Sequence, residues 1–558
     1  MVRKIFSFLY KETHTLNQAA LLLGFFAFLS QVLAFLRDRL LAHIFGAGSD
    51  LDIYYAAFRI PDFIFVTAAS VVSLSVLIPF IIEKETEGKE ALRNLIDSVF
   101  SFFGLLIMGV SLLAFFLMPS LSGIIFKGLP TESVSQVIFL SRLLLLSPIL
   151  LGFSNLFGSI TQAYNRFAIY ALAPILYNVG IILGIMLLAK QLGVLGVAIG
   201  VIAGALFHAV VQMPFAWRIG LFPRPTFRLD PSLIHRIVTV SFPRTLTLSM
   251  SSLSLIFLVS LASLMSAGSI SVLSFSINLQ SVPLSIIGVS YSLAAFPTLS
   301  RRFKEKNIAA FSAQMAATAR FIIFWALPLS ALFIVLRAQL VRVILGSGLF
   351  DWEDTRLTAA ALALFVFSSV FQCLLLLFVR GFYSAGYTKK PFVLNLLSTS
   401  ILFLAAWGFV KIFYLSDTFR LFIGALLKVE DLPGTAVLML PLAYTIGSIV
   451  NGIFHWVAFE KEFPGFSKGV IRASFHYLGT SMIMGATAYV GLNMFATYSN
   501  TDTLITILSQ TAFSAAFALL VGIGLLIALK SRELEEVWSA IKMRFWKTEV
   551  IATDPEIV

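Results

Sequence analysis

Along this chain, apolar residues come in continuous runs of about 20 or more, parted by short stretches that hold most of the charge. Val99–Met118 and Ala168–Lys190 are two such runs. They do not alternate apolar with polar positions, which removes a membrane β-barrel built from alternating segments of about ten residues. A backbone in lipid must satisfy its own hydrogen bonds, so runs of this length read as helices. Roughly fourteen transmembrane helices are predicted, near 16–40, 54–82, 94–118, 134–160, 168–190, 194–217, 233–265, 269–298, 319–345, 357–380, 391–414, 434–459, 470–496 and 504–529.

Two short patterns recur. Phe45-Gly-Ala-Gly-Ser49 parts the first two spans, and Met265-Ser-Ala-Gly-Ser269 parts the seventh and eighth. About thirty residues beyond each stands a proline near a helix end, Pro79 and Pro297, followed by a charged loop. Gln162-Ala-Tyr-Asn-Arg-Phe167 before the fifth span has a shorter counterpart in Gly381-Phe-Tyr-Ser384 before the eleventh. The expected fold class is an all-α polytopic membrane protein of two six-helix lobes, 1–228 and 229–462, related by a parallel pseudo-two-fold repeat about the membrane normal. Two extra C-terminal helices within 463–530 and a cytoplasmic amphipathic tail, 531–558, complete the expected domains. A substrate site would lie between the lobes.

Composition agrees with this class. Hydrophobic residues make up 59% of the chain and charged residues 12%, with a mean hydropathy of +0.94. A soluble domain carries about 25% charged residues. The formal net charge of +12 does not point to nucleic acid, because the basic residues lie in short loops between apolar runs. With both termini cytoplasmic, about 27 of the 40 Lys+Arg fall in the tails and even-numbered loops, and about 10 in the opposite loops. Leu534, Val537, Trp538, Ile541 and Phe545 follow helical spacing with Arg532, Lys542, Arg544 and Lys547 around them, as in an interfacial amphipathic helix. Val2, Ile5, Phe6, Leu9 and Tyr10 suggest a shorter one. The single cysteine, Cys373, lies in an apolar run without companions for a disulfide or metal site and reads as a small core residue.

Charge inside a membrane segment is costly, so such residues are functional candidates. The first hairpin concentrates them: Arg37, Asp38 and Arg39 end the first span, and Asp50, Asp52, Arg59 and Asp62 precede or enter the second. Positions seven apart nearly eclipse on a helix, so Ser30 and Arg37 share a stripe, with Gln31 and Asp38 beside it. Asp52, Arg59 and Asp62 form another. Pro61 removes a backbone hydrogen bond in that second stripe and can kink it. Pairing that locks the hairpin suits Asp38, Asp52 and Asp62, and extends to Arg59. Contact with an anionic substrate suits Arg37 first, and Arg59 is also a candidate. Arg142 and Arg244 lie near apolar spans without a local partner, and either snorkel to the interface or join the substrate. His208 and His455 read as packed within helices. No Walker A sequence is present, so ATP hydrolysis is not expected.

Ser30-Gln-Val-Leu-Ala-Phe-Leu-Arg-Asp38, Phe45-Gly-Ala-Gly-Ser-Asp-Leu-Asp52 and Ala57-Phe-Arg-Ile-Pro-Asp62 together resemble the opening hairpin of the lipid II flippase MurJ (MviN) family. That family belongs to the multidrug/oligosaccharidyl-lipid/polysaccharide exporter superfamily. Tyr164-Asn-Arg-Phe167, Ala173-Pro174 with Asn178, Gln212-Met-Pro214, and Gly381-Phe-Tyr-Ser384 with Lys390-Pro391 follow in the family's order. The resemblance implies two six-helix lobes around a cationic cavity and two further helices forming a groove for a lipid tail. It also implies outward movement of an undecaprenyl-pyrophosphate-linked disaccharide-pentapeptide by alternating access in the bacterial inner membrane. A cavity arginine would hold the diphosphate through paired charge-assisted hydrogen bonds.

Against the family pattern, Gln31 stands for an arginine and Ala34 for a glycine, while Arg37, Asp38 and Asp52 are kept. Arg59 falls where lysine or arginine is usual, and Phe65 replaces a second-helix arginine. In the eighth span Asn278 stands near an arginine position and Ser281 near an acidic one. By resemblance Gln31 and Asn278 are substrate-facing positions, and Arg244 or Arg142 are the cations available to compensate. The seventh, eleventh and twelfth spans hold no Asp or Glu, so a sodium site with carboxylate ligands is not expected.

The expectation is a transporter rather than an enzyme, without cofactor, coupled to membrane potential or an ion gradient. Its partners would be a polyprenyl-pyrophosphate-linked substrate and membrane lipids, with no nucleic acid, and it would work as a monomer. An exporter of another polyprenyl-linked glycan or amphipathic compound, or a non-transporting envelope scaffold, are the alternatives. Membrane glycosyltransferases often carry acidic residues in the first external loop, as Asp50-Leu-Asp52 does here, but this loop is short and no large external domain accompanies it.

Overall fold

The computed structural model describes residues 16–69, 74–498 and 503–545, without the side chains of 16–21, 69, 74–76, 243–244, 498, 540–541 and 543–545. The Val2–Tyr10 segment and Lys547 therefore lie outside the described residues, as do the side chains of Arg244, Ile541, Arg544 and Phe545.

Among the described residues the chain is helical, with no β-strand. Ten helices among the described residues are long and apolar enough to cross a membrane, and Trp352–Val366 with Ser369–Ser384 make an eleventh if taken as one broken span. The charged hairpin helix Ser49–Ala69 carries Asp50, Asp52, Arg59 and Asp62, more charge than a helix facing lipid tolerates. Large apolar side chains stand exposed on outer faces, as Leu112, Leu113 and Phe116 do on Lys89–Ile125. Lipid accepts such a surface and water does not. This is a multi-pass, all-α membrane protein.

Local chemistry sets the helix ends. Asp230 accepts from the amides of Ser232 and Leu233 at 3.0 and 3.1 Å, with Pro231 at the first helical position, and so starts Pro231–Ala262. Thr503 and Thr506 form a reciprocal capping box that opens Leu504–Ala528. Inside the long span Ser269–Lys304, Pro283 is followed by a π-helical turn, Leu284–Val289. Proline removes a donor from the ladder, and the wider turn absorbs the mismatch.

The chain divides into two compact units. The first holds Met1–Gln280, Val341–Ser368 and Gly386–Asn451; the second holds Ser281–Leu340, Ser369–Ala385 and Gly452–Val558. In the first unit, Phe167–Leu192 and Val194–Val210 form a hairpin turning at Gly193. A β-carbon on Gly180 would stand 2.3 Å from the Cα of Gly204, so the two backbones touch. Leu16–Phe45 packs along this hairpin. The two glycine-bearing loops predicted as counterparts also meet: Gly268, at φ 88°, faces Ala47, whose carbonyl oxygen lies 2.0 Å from where a β-carbon would be. Both the left-handed backbone and the missing side chain are required there.

The second unit is built on an aromatic core of Phe311, Phe378, Phe382, Phe459 and Phe466, all fully buried. Cys373 is buried in the same core beside the carbonyl of Pro283. The hairpin Phe466–Tyr498 and Leu504–Ala528 packs against Ile308–Val335 through the first of its helices. The tail helix Arg532–Phe545 lays Leu534 and Val537 on this protein core, while Trp538 stays exposed. Part of the apolar face expected to lie on the membrane is thus taken by the protein itself.

Glu533 explains the docking. Its carboxylate accepts from Arg320 Nε at 2.7 Å and from the hydroxyl of Tyr477. Burial pushes this carboxyl up, but the bonds from Tyr477 and Arg320 outweigh it and hold the group below its ordinary range. With the folded value below the unfolded one, the stabilisation is present above about pH 4.3 and is lost as pH falls through the depressed value. Glu533→Gln is expected to reproduce that loss at neutral pH. The check is limited trypsin digestion at Lys530 and Arg532, which should speed up severalfold; unchanged cleavage refutes the latch.

Candidate functional site

The charges of the first hairpin gather around one cavity of about 220 Å³. Every residue lining it belongs to the first unit. Arg37 and Asp38 come from Leu16–Phe45, Tyr54, Tyr55, Arg59 and Asp62 from Ser49–Ala69, Tyr177 from Phe167–Leu192, and Ser274 and Asn278 from Ser269–Pro283.

A relay of polar groups runs through three of these helices. Asn178 donates to Ser30 Oγ at 3.3 Å and accepts from Arg37 Nη1 at 3.2 Å. Arg37 donates from Nε and Nη2 to one oxygen of Asp38, at 3.0 and 2.8 Å. The other oxygen of Asp38 accepts from Asn278 Nδ2 at 3.0 Å. Asp38 is only 3% exposed, so its charge is matched by Arg37 rather than by water. The stripe shared by Ser30 and Arg37 is real, and Asn178 is what reads it.

Arg59 is placed differently. Its Nη2 donates to Ser274 Oγ at 2.9 Å, while its buried Nε has no hydrogen-bond partner among the described residues. Asp62 lies within its electrostatic reach. The hydroxyl of Tyr55, also buried, likewise lacks a partner. Two orphaned donors at one cavity are unusual, since buried polar groups are nearly always satisfied. Both groups can donate into the cavity, to water or to an oxyanion.

Asp52 shares its face with Arg59, both bonding to Ser269–Pro283, but among the described residues it pairs with no charge of the hairpin. It is 2% exposed, and its carboxylate accepts from the amides of Gly268 and Ser271, both at 2.7 Å, and from Ser271 Oγ at 2.6 Å. It thereby caps Ser269–Pro283, where a negative charge meets the positive end of the helix dipole. Across the same junction, Asp354 Oδ2 accepts from the amide of Ala47 at 3.1 Å.

Of the other candidates, Gln31 is half-buried on the first helix and outside the cavity lining. Arg142 donates to the carbonyl of Phe115 at 3.0 Å and lies over its ring, 4.6 Å from the centroid, away from the cavity. Asn278 joins the cavity through Asp38. His208 shares a 2.7 Å hydrogen bond with Ser154 inside the helix packing, and His455 is fully buried. Among the described residues no three His, Cys, Asp or Glu side chains converge as a metal site. Asn178, Ser274, Tyr54, Tyr55 and Tyr177 were not singled out as site residues from sequence. The Tyr-Tyr pair facing the charged stripe was the available signal for two of them.

Comparison with known proteins gives a consistent result. The family model described as "Lipid II flippase MurJ" matches residues 41–509. A lipid II flippase MurJ of Burkholderia cenocepacia is 23% identical over 478 residues, covering 81% of this chain and 92% of the relative. A probable lipid II flippase MurJ of Thermotoga maritima is 26% identical over 465 residues, covering 78% and 94%. Among solved structures, a lipid II flippase MurJ in an inward closed conformation superposes with a TM-score of 0.71 at 22% identity, over 91% of this chain and 99% of that one. An inward-facing multidrug resistance MATE family transporter gives 0.63 at 18% identity, over 78% and 96%.

Proposed function

This chain belongs to the lipid II flippase MurJ family, and from that membership we propose that it moves lipid II, the undecaprenyl-pyrophosphate-linked peptidoglycan precursor, from the inner to the outer leaflet of the bacterial inner membrane. The family match over residues 41–509 carries the reading. The cavity supports it chemically. A diphosphate cannot enter hydrocarbon unaided, and here it meets an arginine whose Nε lacks an acceptor, beside a tyrosine hydroxyl in the same condition. Arg59 is the primary contact in this reading, with Arg37 held in reserve by Asp38, and Asn278 positioned through that same carboxylate.

The volume of about 220 Å³ is below the roughly 300–1,000 Å³ of ordinary ligand pockets, so the glycan and peptide need a more open state. Alternating access supplies one, with the polyprenyl tail remaining in lipid. We read the architecture as fourteen spans in two six-span lobes, 1–228 and 229–462, followed by two further spans within 463–530 and the tail from 531. Lining residues drawn from both proposed lobes, Arg37 and Asn278 among them, support a site between those lobes. Basic loops support cytoplasmic termini. Gln31, Arg142 and Arg244 are assigned secondary roles at most, with Asp52 and Asp62 as structural charge. The protein acts as a monomer without a cofactor, coupled to membrane potential or an ion gradient.

The test is growth of a bacterium depleted of its own lipid II flippase. Expression of the full chain in its membrane is expected to restore growth and outer-leaflet lipid II. A chain that reaches the membrane at normal levels and restores neither refutes this function.

A further inference from the structure

A second concavity, of about 640 Å³, lies in the second unit, where Phe466–Tyr498 begins, Leu504–Ala528 ends and the tail helix Arg532–Phe545 departs. Its floor is made by Arg320, Glu533 and Tyr477, already bonded to one another. Among the described residues, the one carboxylate lining it is therefore already bonded. Its rim carries Lys468, Arg472, Lys530 and Arg532. Lys468 is offset in part by Glu460, but Arg472, Lys530 and Arg532 form no ion pair among the described residues. Lys530 also holds a left-handed backbone (φ 52°), which residues other than glycine rarely adopt, and this turn carries the chain from the last span into the tail helix.

Basic residues at helix ends commonly serve only to fix topology. Three features set this group apart. The cations come from the start of Phe466–Tyr498, from the turn after Leu504–Ala528 and from the start of the tail helix, and they line one hollow. The floor beneath them is polar and satisfied. Exposed apolar side chains continue along the same two helices, Phe475 and Met482 on one, Leu520 and Ile527 on the other. A cationic hollow joined to an apolar wall matches an amphiphile with an anionic head.

We propose that this hollow binds the phosphodiester headgroup of an anionic glycerophospholipid, with the phosphate among Arg472, Lys530 and Arg532 and the acyl chains against the exposed apolar faces. The hollow shares no residue with the first-unit cavity. An ordered lipid here would fasten the tail helix to the membrane surface.

Native mass spectrometry of the full chain released from mild detergent tests it, with phosphatidylglycerol, phosphatidylcholine, inorganic phosphate and undecaprenyl phosphate as probes. Phosphatidylglycerol is expected to stay bound where phosphatidylcholine does not. At about fivefold per cation, the double variant R472Q/K530Q should bind it about 25-fold more weakly. R472K/K530R should restore binding, which separates lost charge from lost fold. R301Q/K304Q, at another basic segment, should leave binding unchanged. An equal loss in that control, or equal retention of phosphatidylcholine, overturns the site. Displacement by inorganic phosphate at matching concentration assigns it to a free anion instead. Displacement by undecaprenyl phosphate assigns it to the transported lipid, and either result overturns the proposal.

Discussion

Arg59→Ala is expected to abolish the growth supported by the wild-type chain in a flippase-depleted bacterium while leaving the protein in the membrane. On the proposed function, Arg59 suits the diphosphate better than Arg37 does, being held by one serine hydroxyl with a buried N–H that has no partner among the described residues. Removing one partner of a desolvated charge pair costs about 2–5 kcal/mol, thirtyfold or more in affinity. Arg59→Lys keeps the charge but loses the planar fork, so partial growth is expected. Arg37→Ala should behave differently. It strips Asp38 of its counter-charge, and the loss should appear first as lowered stability, because the guanidinium is already committed to Asp38 and Asn178. The measurements are growth, membrane abundance and the unfolding midpoint of each purified variant. Full growth with Arg59→Ala sinks the assignment of this residue to the cargo.

Asp52→Ala is expected to produce the largest stability loss, without touching the cavity. Three donors in a buried junction lose their acceptor at once: the amides of Gly268 and Ser271 and the hydroxyl of Ser271. Each orphaned donor costs about 1–3 kcal/mol, and the helix terminus also loses a favourable charge. Since such terms overlap, about 3–5 kcal/mol in all is the expected fall, read from denaturant unfolding of the full chain in detergent. Asp52→Asn keeps one acceptor oxygen and should fall between. A midpoint within error of wild type for Asp52→Ala would falsify the junction's role.

Much of the candidate cavity was legible from spacing alone. Helical periodicity placed Ser30 with Arg37, and both meet Asn178. The cost of intramembrane charge singled out Arg37, Asp38, Arg59 and Asp62, and all four line one cavity. Periodicity fixes the direction in which a side chain points, not which distant helix stands there. That is why Asp52, on the same face as Arg59, finds a backbone amide 216 residues away rather than a charge of its own hairpin. The same limit hid the resting place of Arg142 on Phe115 and the tie between Arg320 and Glu533 across 213 residues. The all-helical, multi-pass class needed no such distant information, because run length and charge content already determine it.

Arg37 with Asp38 on one helix, and Arg59 with Asp62 on the next, all line the cavity, so two formal positive charges stand there against two negative ones. In a carrier of this kind, the electrical load on each stroke is then set by the cargo alone. A membrane potential does work of about 2.3 kcal/mol per elementary charge per 100 mV, and an interior-negative potential drives an anion outward. The diphosphate would therefore travel with the field, while the unloaded return crosses it without work. On the proposed function, the cavity's own side chains add no net formal charge to either stroke.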